Sequence, residues 1–175
     1  MAAKQNAILA INGDFSFGRI RGPIVRDGMF VRDKSFGDVL VLYNNGEMKT
    51  FAANEFAVSE EAAKGIWNVW SFGPALLDAD GGRKTSFDTT VAEENPRTAI
   101  GYYEPGHYCI VIVNGRGTEG SRGYTMSQLS ALFEELGCAA AYNLDGGRSS
   151  VMAWDCGSSL VNSPAVCDII YIPKE

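Results

Sequence analysis

The sequence predicts an α+β fold, a strand-rich single domain with a mixed β-sheet and about two helices. Glycine accounts for 20 of the 175 residues, which exceeds the average usage of about 7% and indicates many turns. Short apolar runs bounded by turn residues recur along the chain, whereas only two segments have helical features. With 46% apolar residues, the chain has enough hydrophobic content for one core, so we expect residues 1–175 to form one domain.

The predicted strands are short and several are joined by hairpin turns. Turn sequences at residues 44–47 and 104–106 each connect two strands, and Arg-Asp-Gly at residues 26–28 predicts another hairpin. The segments expected to form strands are residues 6–11, 38–43, 48–51, 98–103, 108–113, 138–144 and 151–154.

The clearest helix signal is a capping box formed by Thr125 and Gln128, which predicts a helix that begins at Met126. Gly137 can adopt the left-handed conformation that ends such a helix. Residues 59–64 predict a second, short helix. The apolar residues with helical spacing on one face of the longer helix are Met126, Leu129, Leu132, Phe133 and Leu136.

The most informative stretch is Asn-Leu-Asp-Gly-Gly-Arg-Ser-Ser at residues 143–150. It places Asp145 at the end of a predicted strand, followed by two glycines that allow a sharp turn. The stretch is not a P-loop, because Arg148 replaces the required lysine and a strand follows instead of a helix. By itself it fits either a tight turn or a ligand-binding loop.

Four further motifs precede it: Ile-Asn-Gly-Asp-Phe at residues 11–15, Ser-Phe-Gly-Pro at 71–74, Asn-Pro-Arg-Thr-Ala at 95–99 and Val-Asn-Gly-Arg at 113–116. In this order the five motifs resemble those of the phosphodiester glycosidase family and cover nearly the whole chain. The family usually has glycine where Arg148 stands and aspartate where Asn114 stands, so we expect an altered pocket or activity. The resemblance also implies an extracytoplasmic or secreted protein, with sequence preceding the first motif.

The resemblance implies hydrolysis of the glycosidic bond in a sugar-1-phosphodiester. Arginine suits the phosphate because its planar guanidinium donates two hydrogen bonds at once. Carboxylates suit the sugar, where one stabilises or attacks the anomeric centre and another transfers a proton. The predicted catalytic residues are Asp14, Arg97, Arg116 and Asp145. The predicted substrate-binding residues are Asn12, Gly13, Ser71, Gly73, Thr98, Asn143, Gly146, Gly147, Arg148, Ser149 and Ser150.

Each of these residues also has a purely structural interpretation. Asp14 fits a turn, Arg97 fits a loop anchor, and the two serines fit bonds to local backbone. At the level of function, Asn114 and Arg148 motivate one alternative, a non-catalytic domain that binds anionic glycans. Another alternative is a phosphodiesterase that cleaves the phosphorus–oxygen bond.

Composition limits the cofactors and partners. The sequence identifies no cofactor with certainty; Asp14 and Asp145 are candidate oxygen ligands for calcium or magnesium, so metal dependence stays open. The net charge of −6 argues against non-specific nucleic-acid binding, and no apolar run approaches the roughly 20 residues of a membrane span, so no membrane insertion is expected. The expected partner is a small-molecule or glycan substrate that carries a phosphodiester.

The remaining candidates carry weaker signals. The four cysteines lack zinc-site spacing; Cys109 and Cys138 are predicted to be buried thiols, and a bridge between Cys156 and Cys167 is open in an oxidising compartment. Trp70 is the best candidate for stacking on a sugar. His107 is assigned to a turn, and residues 78–82 are assigned to a hairpin turn instead of a calcium loop.

Overall fold

The structure is a computed structural model that describes residues 1–16, 18, 21–34, 36–154, 159–160 and 166–174. Within these residues it contains twelve strands and two α-helices. The helices are α1 (Val58–Ala62) and α2 (Met126–Glu135). The strands are β1 (Ala7–Asn12), β2 (Ile24–Arg26), β3 (Met29–Arg32), β4 (Val39–Tyr43), β5 (Met48–Phe51), β6 (Ile66–Trp70), β7 (Arg97–Glu104), β8 (His107–Val113), β9 (Ala140–Asn143), β10 (Met152–Trp154), β11 (Ser159–Leu160) and β12 (Ile169–Pro173).

The strands form three antiparallel sheets. Sheet 1 has the order β11-β10-β1-β12, sheet 2 has β3-β2-β6-β4-β5, and sheet 3 has β8-β7-β9. The α+β prediction is therefore confirmed, but the expected mixed sheet is replaced by antiparallel pairs among the described strands. Parallel neighbours need a crossover connection. The connection that contains α2 runs from β8 to β9, which lie on opposite sides of β7 and do not pair with each other.

The structure confirms the predicted helix cap and hairpin turns. The capping box of Thr125 and Gln128 is present at the start of α2, and Gly137 has a positive φ of 72° after the helix ends. The hairpins β2–β3, β4–β5 and β7–β8 form at the predicted turns. Asp78 accepts bonds from the N–H groups of Asp80 and Gly82, as expected for a turn. No helix in the described ranges is long and apolar enough to cross a membrane.

Three hydrophobic clusters hold the sheets together. The first joins all three sheets and includes Ile11 of β1, Leu40 of β4 and Ile100 of β7. The second packs α2 against sheet 3 through residues such as Leu129 and Phe133. The third lies on the other face of sheet 2. Both faces of sheet 2 are therefore covered, and sheet 3 lies between sheet 2 and α2.

Asn12 is the last residue of β1, and its buried side chain links sheet 1 to sheet 3. Its Nδ2 donates to the carbonyl of Asp145 at 2.6 Å. Its Oδ1 accepts from the Thr98 hydroxyl at 2.7 Å and from the Val151 N–H at 3.1 Å. One amide therefore fixes the start of β7 and both flanks of the 143–150 loop.

We predict that Asn12→Ala lowers the free energy of unfolding by about 3 kcal/mol, because it leaves buried polar partners unsatisfied at a typical cost of about 1–3 kcal/mol each. The matched control is Asn45→Ala, in an exposed turn where the side chain accepts one N–H from Glu47; its cost is expected to stay below about 1 kcal/mol. Urea unfolding measures both. Equal losses in the two variants would contradict the linking role of Asn12.

Candidate active site

Three motif loops emerge together at one end of sheet 3. Arg97 begins β7 and lies opposite Val113, the last residue of β8. Asn143, the last residue of β9, lies opposite Ala99 on the other side of β7. The loops that contain residues 95–97, 114–116 and 144–150 are therefore neighbours, although they are up to about 50 positions apart in the chain.

The 143–150 loop is bonded to its neighbours through its backbone. The Asp145 N–H donates to the carbonyl of Gly13 at 3.0 Å, and the Gly147 N–H donates to the carbonyl of Pro96 at 2.9 Å. Gly147 has a φ of 63°, and a Cβ there would lie 3.0 Å from Nη2 of Arg116. A side chain at position 147 would be strained by its backbone and would crowd the guanidinium.

Arg116 is held beside this loop in an uncommon backbone conformation. Its φ is 54°, which costs of order 1–3 kcal/mol for a residue other than glycine. Its Nη2 donates to Oδ1 of Asn95 at 3.1 Å and lies close to Gly147. The strained backbone conformation of Arg116 places its guanidinium beside Gly147, where it can bind a ligand.

Arg97 is almost fully buried, with 2% of its surface exposed. Its Nε donates to the carbonyl of Tyr124 at 2.8 Å, and its Nη2 donates to the carbonyls of Val91 and Glu93. Burial lowers the pKa of Arg97 to about 10, so the side chain remains charged at neutral pH. Arg97 therefore anchors two loops, and its hydrogen-bond partners there are neutral carbonyls that do not cancel its charge.

Arg97, Arg116 and Asp145 line one cleft of about 120 Å³. Two arginines and one carboxylate give the lining a charge of +1, which favours an anionic ligand. The structure thus brings together three of the four predicted catalytic side chains. The residues that line the cleft are Phe72, Val91, Asn95, Arg97, Arg116, Asp145, Gly146 and Gly147.

Asp14, the fourth, is not among the residues that line the cleft, and its carboxylate lies in a charge cluster with Arg26 and Asp168. Both of its carboxylate oxygens accept from the Ser71 N–H, at 3.2 and 3.0 Å. Arg26 Nη2 lies 3.4 Å from Asp14 Oδ2 and 2.6 Å from Asp168 Oδ2. The Arg26 guanidinium also lies over the ring of Trp70, 5.3 Å from the ring centre. One arginine therefore links two carboxylates and covers an aromatic ring.

The Asp14 carboxyl is only 3% exposed, and its pKa is raised to about 6. Burial is the main cause because it disfavours the charged form. The Ser71 N–H and Arg26 oppose this rise, and the charge of Asp168 adds to it. A carboxyl group with a pKa near neutrality can both donate and accept a proton.

Backbone contacts keep Asp14 close to Asp145. The carbonyl of Gly13 accepts the Asp145 N–H, and the Asp14 N–H donates to Asp168 Oδ1 at 2.6 Å. A Cβ at Gly13 would lie 2.4 Å from that same Asp168 oxygen, so a side chain there would displace the Asp168 carboxylate from the Asp14 N–H. Phe72, the residue after Ser71, lines the cleft.

Several predicted substrate-binding residues instead support the loops. The polar groups of Asn12 and Thr98 bond each other and the 143–151 backbone. Asn143 Nδ2 donates to the carbonyl of Gly73 at 2.8 Å. Two buried side-chain atoms in the described part of the chain have no hydrogen-bond partner, Oδ1 of Asn143 and Oγ of Ser150. Such atoms cost about 1–3 kcal/mol each, and both belong to the 143–150 motif.

The two departures from the family motifs lie outside the cleft lining. Asn114 Nδ2 donates to Glu119 at 2.7 Å, and its carbonyl accepts from Ser121, so it orders its own loop. The Arg148 side chain is exposed, and neighbouring Ser149 is half-buried. Because positions 114 and 148 do not line the cleft, neither of these two departures from the family motifs changes the groups that line it.

The other candidates contribute less. Trp70 is buried under Arg26, so the expected sugar stacking there does not fit. Cys138 is buried and Cys109 is half-buried; they form no disulfide, and their sulfurs share a hydrogen bond at 3.6 Å. The proposed bridge of Cys156 to Cys167 involves residue 156, which lies outside the described residues.

The fit of a divalent cation to Asp14 and Asp145 is weak. No group of three or more acidic, histidine or cysteine side chains converges within the residues that the structure describes. Asp14 already accepts an N–H and faces Arg26, and Asp145 Oδ1 accepts the Gly146 N–H at 2.9 Å. A cation there would meet carboxylates that already have hydrogen-bonding partners.

Sequence reasoning missed Arg26, Asp168 and Phe72. Arg26 is part of a hairpin turn sequence, and that pattern does not indicate its ion pairs with Asp14 and Asp168. Asp168 is 154 positions from Asp14. Phe72 lies within the Ser-Phe-Gly-Pro motif, so that motif could have identified it as a site residue. A pattern within a single sequence does not predict a contact between residues as distant in the chain as Asp14 and Asp168.

Comparison with known proteins confirms the resemblance. The family model for phosphodiester glycosidase matches residues 5–172. The chain is 33% identical over 163 residues to the SPbeta prophage-derived uncharacterized protein YomE of Bacillus subtilis strain 168. That match covers 87% of this chain and 25% of YomE, so the chain spans about a quarter of that relative's length.

Solved structures show the same fold. The catalytic domain of zebrafish N-acetylglucosamine-1-phosphodiester alpha-N-acetylglucosaminidase, auto-inhibited by its pro-peptide, matches with a TM-score of 0.75 at 20% identity, over 99% of this chain and 66% of that one. A hypothetical protein from Synechocystis matches with a TM-score of 0.57 at 16% identity, over 97% and 51%. Because the family match extends over almost the whole chain, this chain belongs to the phosphodiester glycosidase family.

Proposed function

We propose that this chain hydrolyses the glycosidic bond of a sugar-1-phosphodiester. The observation that carries the proposal is the shared cleft of Arg97, Arg116 and Asp145. It combines a net positive lining, suited to a phosphodiester, with a carboxylate, suited to the positive charge that develops on the sugar ring. The family supports a hydrolase of the glycosidase type.

Arg116 is the residue we assign to phosphate contact. Its guanidinium lies over the Gly146-Gly147 turn and lines the cleft, while one of its nitrogens bonds Asn95. A guanidinium has five N–H donors in a rigid fork, so donors remain for two phosphate oxygens. Binding there would neutralise the phosphate as it leaves.

Arg97 contributes charge more than direct contact. Three carbonyls occupy its Nε and Nη2 groups, yet the guanidinium reaches the cleft lining. A buried positive charge attracts a nearby anion more strongly than an exposed one does, because the effective dielectric constant is lower inside the protein. It therefore adds to the attraction for phosphate while it keeps two loops in place, so the anchor and functional interpretations of Arg97 are compatible.

The two carboxyl groups receive different roles. Asp145 lines the cleft with the arginines, so we assign it to the anomeric centre, as a nucleophile or as a stabilising anion. Asp14 has the raised pKa, so we assign it to proton transfer. In the overall reaction, the oxygen of water bonds the anomeric carbon and the carbon–oxygen bond to phosphate breaks. The electron pair leaves on the phosphate oxygen, and the protons of water end on the products.

The arrangement favours this proposal over a non-catalytic domain that binds anionic glycans. That alternative rests on Asn114 and Arg148. Both lie outside the cleft lining, and Asn114 is engaged with Glu119. The carboxylate and the two arginines that the proposed reaction needs are all present.

We predict that the protein releases free sugar from members of a panel of sugar-1-phosphodiesters, and that Arg116→Lys lowers kcat/KM by about 10- to 100-fold. Lysine keeps the charge and loses the second hydrogen bond, and bonds to charged groups contribute about 1.5–3 kcal/mol. The matched control is Arg122→Lys, an exposed arginine paired with Glu94, which we expect to retain full activity. No release from any diester, with or without divalent cations, would count against the proposed function.

The pH profile tests the role of Asp14. Its pKa of about 6 lies above its ordinary value, so the protonated form predominates below pH about 6 and the charged form above it. If Asp14 donates its proton, kcat/KM falls as pH rises through about 6, whereas a phosphodiester stays ionised throughout this range. Asp14→Asn should lose most of the activity, and its residual rate should not change near pH 6. A wild-type rate that instead increases with pH through 6 would show that Asp14 acts as an anion.

A further inference from the structure

Two cysteines from different elements meet where α2 packs against sheet 3. Cys109 belongs to β8 and lies opposite Gly101 of β7. Cys138 follows α2 and is 29 positions later in the chain. Both belong to the hydrophobic cluster between α2 and the sheet, and their sulfurs share a hydrogen bond at 3.6 Å. Neither cysteine lines the cleft, so the pair is separate from the groups of the proposed reaction.

Gly101 provides the space in which the two sulfurs meet. A Cβ at position 101 would lie 2.6 Å from Sγ of Cys138 and 2.7 Å from Sγ of Cys109, well below the roughly 3.5–4.0 Å of an ordinary nonbonded contact. The sulfurs of a disulfide are about 2.0 Å apart. The two sulfurs therefore have to approach each other by about 1.6 Å, which small rotations of both side chains supply.

The backbone holds both cysteines in place. The Cys138 N–H donates to the carbonyl of Phe133 at 3.2 Å, and the next N–H, of Ala139, donates to the carbonyl of Tyr102 at 2.8 Å. Cys109 is held in the pairing of β8 with β7. Because the fold already brings the two thiols together, joining them requires little further ordering of the chain.

The two thiols differ in access and in acidity. Cys109 is half-buried on the edge strand of sheet 3, whereas Cys138 is 3% exposed. Burial raises the pKa of the Cys138 thiol, and a hydrogen bond from the Tyr103 hydroxyl opposes that rise. Since the thiolate is the attacking species, a reagent from solution reacts first at Cys109. Cys138 is then the neighbour that closes the bond.

We propose that Cys109 and Cys138 are an oxidation site that closes into an intramolecular disulfide by exchange with a low-molecular-weight disulfide. The Cys109 thiolate attacks one sulfur of the reagent, whose sulfur–sulfur bond breaks, and the departing thiolate takes up a proton. The Cys138 thiolate then attacks Sγ of Cys109 and releases the second half of the reagent as a thiol. The two cysteines lose two protons and two electrons, and the reagent is reduced to two thiols.

The disulfide would join β8 to the segment that enters β9, across β7. Such a link restricts the unfolded chain over the 29 positions between the two cysteines, which stabilises the folded state. Gly101 lies about 13 Å along β7 from Arg97, at about 3.3 Å per residue. The bond therefore stabilises the sheet without changing the cleft, and the proposal does not depend on the proposed function.

The test equilibrates the folded protein with oxidised glutathione, blocks free thiols by alkylation and maps the peptides by mass spectrometry. We expect a peptide pair joined through Cys109 and Cys138, which dithiothreitol separates. Cys138→Ser should carry glutathione on Cys109, because the closing thiol is missing. Cys109→Ser should leave Cys138 unmodified, because burial protects it. The matched control is Cys167→Ser, which removes another free, half-buried cysteine and should form the same bond as the wild type.

Thermal unfolding gives a second measurement. In Cys167→Ser, the oxidised form should melt roughly 5–15 °C above the reduced form. The same variant with Cys109→Ser added should show no such difference. Three results in the wild type would each overturn the proposal: glutathione retained on Cys109 without a bridge, both thiols unmodified after oxidation, or a bridge from Cys109 to a different cysteine. An oxidised form that melts below the reduced form would also overturn it, since the fold would then not accommodate the bond.

Discussion

The site depends on the side chain of Asn12, which joins two sheets at the point where the motif loops leave them. Its amide donates to the carbonyl of Asp145 and accepts from Thr98 and Val151. These partners are buried, so each bond is made in a low dielectric and each would be costly to lose. Because one planar group satisfies all of them, β1, β7 and the 143–150 loop have a single relative position.

That fixed position brings arginines and a carboxylate together in one small cleft. Arg97 begins β7, Arg116 follows β8 and Asp145 follows β9, and all three residues line the cleft. Asp14 is placed behind Ser71, where burial raises its pKa and Arg26 limits that rise. Phosphate and sugar would therefore meet groups of opposite charge, without the need for a large conformational change.

The sequence predicted the local features of this arrangement and few of its long-range contacts. The capping box of Thr125, the hairpins and the place of Asp145 at a strand end follow from short-range rules, and the structure confirms them. The link of Asp14 to Asp168 could not be predicted, because residues 154 positions apart meet only through strand pairing. Trp70 looked available for a sugar, but packing beneath Arg26 buries it. The sequence also did not predict that the strand pairs are antiparallel, because this depends on which strands the connecting segments bring together, and composition does not determine that.

The most direct test of the account is hydrolysis in water labelled with oxygen-18. Under the proposed function, the bond breaks at the anomeric carbon, since Asp145 and the arginines share a cleft that suits a departing phosphate. It therefore predicts that the label appears on the anomeric hydroxyl of the released sugar and not in the phosphate product. Label found in the phosphate product would contradict it, because water would then have attacked phosphorus and the protein would be a phosphodiesterase.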